Sequence, residues 1–410
     1  MTKPRIDCAP PFSDAGRHAM SPEPGHDEIA RFNFLANFNK YMSSTVVGGN
    51  AVAWQSRARP RWELQHGRPP RDRREIRDAM STDPYYQMWS SLRRSAMEMR
   101  QQAGRAMVLR QAEALRDRAR ALNADAATLH LDPSVEVPRY QSAIDNHCMP
   151  GSYFAEHLDD DVSAAANYDA GMFATTTGLF GRFLDGAGRG VVAWLAARRP
   201  GWQPRRILDL GCGLGHNTVP LGHAFPEAQI HAIDLAAPML RYGHARAAAM
   251  GVRNIRFIQG NVEQLSYPDG HFDVVYSTMF LHETSHGALR RILRETDRVL
   301  AAGGLHLHLE QPPYRGMEEF EKFLRDWDCY HNNEPFWTTV HDTHMPTLLG
   351  ELGFHGDRVF ETRIDAIVDD EIPKVAGEVE DFGRGGMWYA FGSERAPIEP
   401  WQAPAGEARP

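Results

Sequence analysis

The chain has 410 residues, of which 42% are apolar and 24% are charged, and its formal net charge is -8 at pH 7. This composition is typical of a globular protein and excludes a collagen-like chain, a disulfide-rich scaffold and wholesale disorder. The 4 cysteines show no CxxC spacing, and no apolar stretch approaches the roughly 20 residues that a membrane helix needs. We therefore expect a cytoplasmic protein without a membrane span.

The first half of the chain is predicted to be mostly helical. Asp83 followed by Pro84 is a strong helix start, and an apolar stripe continues from there toward Leu122. The stretch Arg57–Arg73 is rich in arginine and proline and predicts an exposed connector. The expected division of the whole chain is a disordered tail at 1–25, a helical region at 26–200 that covers a substrate, a cofactor-binding domain at 201–395 and a second disordered tail at 396–410.

From residue 205 onward, strands are predicted to alternate with helices. The strands are expected at Arg206–Leu210, Gln229–Asp234, Ile255–Gln259, Phe272–Ser277, Leu305–Glu310, Arg358–Ile367 and Met387–Phe391. Such alternation is typical of a parallel, doubly wound sheet. The connection between the last two strands carries no convincing crossover helix. The predicted fold is therefore α/β, a Rossmann-like seven-stranded doubly wound sheet whose last strand is antiparallel.

A glycine-rich turn, with the sequence DLGCGLG from Asp209 to Gly215, follows the first of these strands. Ligands of such sheets bind at the carboxyl ends of the strands, where glycines allow the backbone to approach closely. Asp234 ends the second strand, where a carboxylate can accept both hydroxyls of a ribose. A nicotinamide dinucleotide site would require G-x-G-x-x-G, and its third glycine would fall on His216. The pattern therefore favours another nucleoside.

The stretch from Ile207 to Glu310 resembles class I S-adenosylmethionine-dependent methyltransferases, in particular the group of ubiquinone/menaquinone C-methyltransferases and their small-molecule relatives. The segments that carry the resemblance are ILDLGCGLG at 207–215, AIDLAAPML at 232–240 and FIQGNVEQLSYPDGHFDVVYS at 257–277. The resemblance implies S-adenosylmethionine as the cofactor and a small, apolar or aromatic molecule as the methyl acceptor. The cofactor-binding residues that it implies are Asp209, Gly211, Gly213, Gly215, Asp234, Leu235, Met239, Asn261, Val262 and Ser277. Asn261 departs from the family pattern, which usually has an aspartate at this place.

Candidate catalytic residues follow the fourth strand, where this fold opens to its substrate. His282 is the candidate general base, with Glu283 beside it, although a structural histidine fits the pattern equally well. Tyr314, His341 and His344 are candidates for the wall of the substrate pocket. The histidines of this second group also suggest a metal site, but no further ligand set is apparent and no metal is expected.

Two alternatives to a small-molecule methyltransferase remain open from the sequence. One is an enzyme of another class, such as a cyclase or decarboxylase, that keeps the same cofactor. The other is a nucleic-acid methyltransferase that uses the segment 57–120, which holds 16 arginines against 8 acidic residues. The acidic residues are interspersed with these arginines at helical spacing, so a solvated helix face is favoured over a nucleic-acid surface. The sequence does not indicate an oligomeric state.

Overall fold

A mixed eight-stranded sheet lies at the centre of the protein, whose computed structural model describes residues 8–124, 126–355, 358–369 and 387–396. The strands are β1 (Leu129–His130), β2 (Arg206–Leu210), β3 (Gln229–Asp234), β4 (Ile255–Gln259), β5 (Phe272–Thr278), β6 (Leu300–Glu310), β7 (Val359–Asp365) and β8 (Met387–Glu394). Their order across the sheet is β1-β4-β3-β2-β5-β6-β8-β7. β8 runs antiparallel to both β6 and β7.

The structure confirms the predicted doubly wound sheet and its antiparallel last strand. All seven expected strands are present, and the five from β2 to β6 pair in parallel. β1 is an addition that pairs in parallel with the outer edge of β4. It comprises only two residues, which is too short for an alternating pattern to be visible in the sequence.

Sixteen α-helices accompany the sheet in the described part of the chain. Those before β2 are α1 (His26–Tyr41), α2 (Gly48–Ala53), α3 (Arg59–His66), α4 (Arg73–Met80), α5 (Pro84–Leu109), α6 (Ala112–Leu122), α7 (Arg139–Ser142), α8 (Ser163–Thr175) and α9 (Gly186–Arg198). Those after it are α10 (Thr218–Ala224), α11 (Ala237–Ala249), α12 (His286–Val299), α13 (Glu319–Arg325), α14 (Trp327–His331), α15 (Trp337–Asp342) and α16 (Met345–Glu351).

Helices cover both faces of the sheet. Apolar side chains of α9, α10 and α11 pack with Ile207, Ile230 and Val274 on one face. Those of α12 and α16 pack with Leu208 and Val275 on the other face. Adjacent residues of a strand point to opposite faces, so the neighbouring apolar pairs Ile207–Leu208 of β2 and Val274–Val275 of β5 require both layers. α9 belongs to the first layer, although it precedes the expected domain boundary at residue 200.

The helices before the sheet pack on α11 and on the chain that follows β6. α5 begins where the sequence predicts, since Asp83 accepts a hydrogen bond of 2.9 Å from the amide of Tyr85 and Pro84 occupies the first turn. The predicted helix does not continue to Leu122, because α5 ends at Leu109 and α6 starts at Ala112. Gly104 lies inside α5, where a side chain would collide with Asn167 of α8.

Two expectations for the N-terminal region are corrected. Residues 59–66 of the stretch expected to be a connector form α3, because a proline in a first helical turn removes no backbone hydrogen bond, and residues 67–72 link α3 to α4 without helix. Residues 8–25, expected to belong to a disordered tail, pack against the helices, and Met20 is fully buried among α1, α8 and α11. Residues 1–7 of that tail, and residues 397–410 of the C-terminal tail, lie outside the described residues.

Several arginines of the segment 57–120 join α4 and α5 to the chain after β6. Arg73 and Arg77 pair with Asp326 at 2.8 and 3.0 Å, and Arg93 pairs with Asp328 at 3.1 Å. These side chains are largely buried. The expectation of a solvated helix face is therefore wrong for these three arginines, which dock one part of the chain on another.

Candidate functional site

The glycine-rich turn after β2 adopts a conformation that its glycines permit. Gly211, Gly213 and Gly215 all have positive φ angles, of 66°, 54° and 75°. A side chain at Gly211 would collide with the ring of Phe280, which follows β5. At Gly213 no atom lies within 4 Å of the place that a Cβ would occupy. The backbone of the turn therefore faces open space at this point.

Asp234 fixes this turn to the end of β3. One carboxylate oxygen accepts a hydrogen bond of 2.8 Å from the amide of Gly213, and the other accepts one of 2.9 Å from the amide of Ala236. Burial raises the pKa of Asp234 to about 6, against the effect of these hydrogen bonds. Each carboxylate oxygen can accept more than one hydrogen bond, so the side chain can still receive two ligand hydroxyls.

A first cavity of about 1230 Å³, part of it open to solvent, lies between the glycine turn, Asp234 and the ends of β4 and β5. The candidate residues that line it are Gly211, Gly213, Asp234, Leu235, Met239, Asn261, Val262 and Glu283. The side-chain oxygen of Asn261 also accepts a hydrogen bond of 2.9 Å from the amide of Glu263, which orients it at the cavity edge. Most of the predicted nucleoside residues thus converge on one space at the carboxyl ends of the strands.

Three predicted cofactor residues, Asp209, Gly215 and Ser277, do not line this cavity. Asp209 is buried behind the turn, where it accepts hydrogen bonds from Thr218 and Tyr276 at 2.6 and 2.7 Å. Burial raises its pKa to about 7. Ser277 points to the opposite face of β5 and contacts His308 at 2.8 Å. Alternation along β5 explains the error, because the neighbours of Ser277 along the chain have the opposite orientation. The residues that line the cavity at this end of β5 are Thr278 and Met279.

A second cavity of about 980 Å³ lies beside the first, under the N-terminal helices. α1, α5 and α8 form much of its wall, together with the chain around α14 and α15. The residues shared by the two cavities are Tyr168, Met172, Phe180, Met279 and Glu283. The two spaces therefore meet at the end of β5.

His282 lines the second cavity and lies between two carboxylates. Its Nδ1 is 2.7 Å from Glu310, at the end of β6, and its Nε2 is 3.7 Å from Glu334. Burial alone would lower the pKa of His282, but the charge and hydrogen bond of Glu310, together with Glu334, raise it to about 9. The ring therefore carries a proton on both nitrogens at neutral pH, and it is a poor general base there.

Glu283 lies where the two cavities meet and has two partners from the N-terminal region. The hydroxyl of Tyr153 donates a hydrogen bond of 2.7 Å to it, and His147 Nε2 lies 3.4 Å away. His147 Nδ1 is also 3.1 Å from Glu334. Burial alone would lower the pKa of His147, but Glu334 and Glu283 raise it to about 10. His147 has a left-handed backbone with φ of 53°, a strained conformation for a histidine.

The three predicted pocket residues after β6 do not line either cavity. Tyr314 and His341 are buried and stack on each other with ring centroids 5.3 Å apart. His344 is exposed and bonds Thr347 at the start of α16. The residues of this region that do line the second cavity are Asp328, Asn332, Glu334 and Trp337.

Sequence reasoning missed His147 and Glu334, which complete the charged cluster around His282 and Glu283. They lie far from these residues along the chain, and no short motif surrounds them. A signal existed only in the residue types, since acidic and histidine side chains occur amid the aromatic residues of 327–337. Only the packing of the N-terminal helices brings the four together.

Asp169 of α8 fastens the N-terminal segment to the glycine turn. It contacts His18 at 3.0 Å and His216 at 2.7 Å, and it accepts a hydrogen bond of 2.6 Å from Tyr242. Burial would raise the pKa of Asp169, but the two histidines hold it well below its usual range. The wall of the first cavity thus depends on residues near the start of the described chain.

Within residues 8–124, 126–355, 358–369 and 387–396, no helix combines the length and the apolar character that a bilayer-crossing segment requires. Within the same residues, no group of three or more histidine, cysteine, aspartate and glutamate side chains is arranged to hold a metal ion.

The similarity to known proteins is concentrated on the glycine turn and the strands that follow it. Residues 207–304 match the family described as methyltransferase domain. Malonyl-[acyl-carrier protein] O-methyltransferase of Halorhodospira halophila is 30% identical over 170 residues, which are 41% of this chain and 52% of that protein. Demethylmenaquinone methyltransferase of Geobacillus stearothermophilus is 32% identical over 122 residues, 29% of this chain and 51% of that protein.

A third relative is also a methyltransferase that matches only part of this chain. The ubiquinone/menaquinone biosynthesis C-methyltransferase of Pseudomonas fluorescens is 38% identical over 109 residues, 26% of this chain and 41% of that protein. The chain therefore spans about half the length, or less, of these three relatives. The matched residues include the glycine turn and Asp234 at the end of β3, so the family match and the geometry of the site point to the same cofactor. Residues 207–304 are a class I S-adenosylmethionine-dependent methyltransferase domain.

Proposed function

We propose that the protein transfers a methyl group from S-adenosylmethionine in the first cavity to a small molecule in the second cavity. The observation that carries this proposal is the junction of the two cavities, where Met279 and Glu283 line both. S-adenosylmethionine supplies a methyl group bonded to a positively charged sulfur, so the protein mainly has to align the reactants and exclude water.

The residues of the first cavity fit this cofactor. Asp234 offers two carboxylate oxygens for the ribose hydroxyls, and the open backbone at Gly213 leaves room for the adjacent part of the molecule. Leu235 and Met239 supply apolar surface for an adenine ring, and Asn261 supplies an amide at the edge of that surface. Asp209 supports the turn from behind rather than contacting the ligand.

Glu283 is the best candidate for a group that acts on the methyl acceptor. Its carboxylate lies at the junction, and it can accept a proton or stabilise positive charge that develops on the acceptor. Tyr153 donates a hydrogen bond to it and thereby orients it. His282 is protonated at neutral pH and lies between Glu310 and Glu334, so we assign it a positioning role.

The second cavity supports a small-molecule acceptor. Its walls include the aromatic rings of Trp89 and Trp337 and the side chains of Met97 and Met172, which suit an apolar or aromatic body. The arginines at Arg73, Arg77 and Arg93 pair with acidic residues of the same chain. This pairing disfavours the use of these arginines on the phosphates of a nucleic acid.

The test is the formation of S-adenosylhomocysteine from S-adenosylmethionine with a cell extract divided into a small-molecule filtrate and a macromolecular retentate. We expect product with the filtrate, and much less of it at the same low concentration of S-adenosylmethionine when Asp234→Asn replaces the native protein. Product with the retentate alone would contradict a small-molecule acceptor. Tight binding of S-adenosylmethionine without any product in either fraction would favour another reaction class on the same site.

A further inference from the structure

Arg100 is a buried cation that faces the second cavity. It lies on α5 at the contact with α8, and its relative exposure is 1%. The helices leave room for it, because a Cβ at Gly171 of α8 would lie 2.7 Å from the Arg100 Cδ and 2.9 Å from one of its terminal nitrogens. The guanidinium is therefore built into the wall of the cavity and is not a surface side chain that has folded inward.

The guanidinium of Arg100 lacks the partners that neighbouring arginines have. Its Nε and Nη1 are buried and make no hydrogen bond to any of the described residues. Arg93, two turns earlier on α5, pairs with Asp328 and stacks on the ring of Trp327 at 4.0 Å. Arg94 donates hydrogen bonds to Glu98 and to the carbonyl of His331. Two neighbouring arginines of the same helix therefore have acidic or carbonyl partners.

Among the described residues, no carboxylate pairs with the guanidinium of Arg100. Burial lowers the pKa of its guanidinium to about 10, and the groups that oppose this shift are Tyr168, Tyr153 and Cys148. The side chain is still charged at neutral pH. A buried cation without a partner is strongly unfavourable, because the charge has lost its hydration and gained nothing in exchange. A ligand with a negative charge would remove this imbalance.

The acidic residues of the cavity do not fill this role. Glu334 lies between His147 and His282, and Glu283 contacts Tyr153 and His147. With Glu310, these carboxylates engage the two protonated histidines, and none of the three pairs with the guanidinium of Arg100. The walls elsewhere are largely apolar. One charged group on an otherwise apolar molecule is what this arrangement can accommodate.

We propose that Arg100 binds a carboxylate of the methyl acceptor, so that the substrate is an apolar or aromatic acid held by one charged group in the second cavity. This proposal rests on the proposed function and names the chemical class of its substrate. The planar guanidinium matches a carboxylate with two parallel hydrogen bonds. With the acid group held between α5 and α8, the rest of the molecule extends along the cavity toward Glu283 and the junction.

The experiment compares carboxylates with their neutral amides. Phenylacetate, 4-phenylbutyrate and octanoate, and the amide of each, are titrated calorimetrically into protein saturated with S-adenosylhomocysteine. We expect at least one acid to bind roughly tenfold or more tightly than its amide, the scale of one charged hydrogen bond. Arg100→Met should abolish this preference. Arg105→Met, on the same helix but outside both cavities, is the matched control and should retain it.

Thermal unfolding separates a binding role from a structural one. Without ligand, Arg100→Met should unfold at the same temperature as the native protein or higher, because it removes an uncompensated buried charge. Arg93→Met should unfold at a lower temperature, because it removes the ion pair with Asp328 and the stacking on Trp327. A lower unfolding temperature for Arg100→Met together with an intact preference for acids would overturn the proposal.

Two other outcomes would also overturn the proposal. They are equal binding of every acid and its amide by the native protein, and no binding of any of them. The proposed function is tested separately, because its failure appears as absence of S-adenosylhomocysteine binding or formation. In the case of no S-adenosylhomocysteine binding, the same titrations on the free protein decide the role of Arg100.

Discussion

Replacing Asp234 by asparagine tests the cofactor site directly. In the structure, each oxygen of this carboxylate accepts one backbone hydrogen bond and has capacity left for a ribose hydroxyl. Asparagine keeps one acceptor and places a donor where the second acceptor was. Hydrogen bonds to charged groups contribute roughly 1.5–3 kcal/mol each, so the affinity for S-adenosylhomocysteine should fall about 10- to 100-fold.

The dependence on pH gives a second measure of the same contact. Burial raises the pKa of Asp234 to about 6, and the ionised carboxylate is the form that accepts the two hydroxyls. Native affinity should therefore be constant above about pH 7 and fall about tenfold per pH unit below pH 6. Asp209 has a pKa of about 7 and could contribute its own step. The difference between the native protein and Asp234→Asn isolates the step that belongs to Asp234.

Isothermal titration calorimetry with S-adenosylhomocysteine between pH 5 and 8 is the assay. Asp273→Asn is the matched control, because Asp273 also accepts two backbone hydrogen bonds, at the start of β2 and away from the cavity. The control should bind as the native protein does at every pH. Two results would refute the reasoning. In one, the affinity of Asp234→Asn for S-adenosylhomocysteine lies within a factor of about two of the native affinity. In the other, Asp234→Asn loses affinity below pH 6 as the native protein does.

Three further predictions concern the junction, the N-terminal segment and the buried carboxylate under the turn. Glu283→Gln should lower kcat by roughly 10²-fold with cofactor affinity nearly intact, and normal turnover in steady-state assays would remove Glu283 from the chemistry. His18→Ala should lower the free energy of unfolding in urea by roughly 1.5–3 kcal/mol, since it deletes a contact to the ionised Asp169; an unchanged midpoint would contradict the anchoring of this segment. The pKa of Asp209 is raised in the folded state, so the folded protein keeps a proton that the unfolded chain releases. Without cofactor, the free energy of unfolding should therefore fall as the pH rises from 5 to 7. The contribution of Asp209 to this slope is at most about 1.4 kcal/mol per pH unit. Asp209→Asn should flatten that slope, and an unaltered slope would assign it to other groups.

The sequence alone determined those features that depend on local patterns. The alternation of strands and helices predicted the doubly wound sheet, because the spacing of apolar residues in each segment follows the repeat of a strand or of a helix. Asp83 and Pro84 predicted the start of α5, since a capping side chain acts within one turn. The glycine turn and Asp234 lie at the ends of adjacent parallel strands, and strand order alone brings them together at one edge.

Only the tertiary structure decided which side chains face the cavities. Ser277 lies one position from Thr278, which lines the first cavity, and a shift of one residue along a strand reverses the direction of a side chain. Asp209 is instead buried behind the turn by its hydrogen bonds within the fold. The cluster of His147, Glu283 and Glu334 is drawn from three distant parts of the chain. It exists because α5 docks on the segment after β6, and that docking depends on contacts that no local pattern records.

Arg100 shows the same limit most clearly. In the sequence it is one of 16 arginines in a charged segment, and nothing distinguishes it from the others. In the structure, most of the arginines around it have acidic or carbonyl partners, whereas its own Nε and Nη1 make no hydrogen bond to the described residues while the side chain borders a cavity. Whether a buried charge has a partner depends on the residues that folding places beside it, and for Arg100 these neighbours are set only when the helices pack.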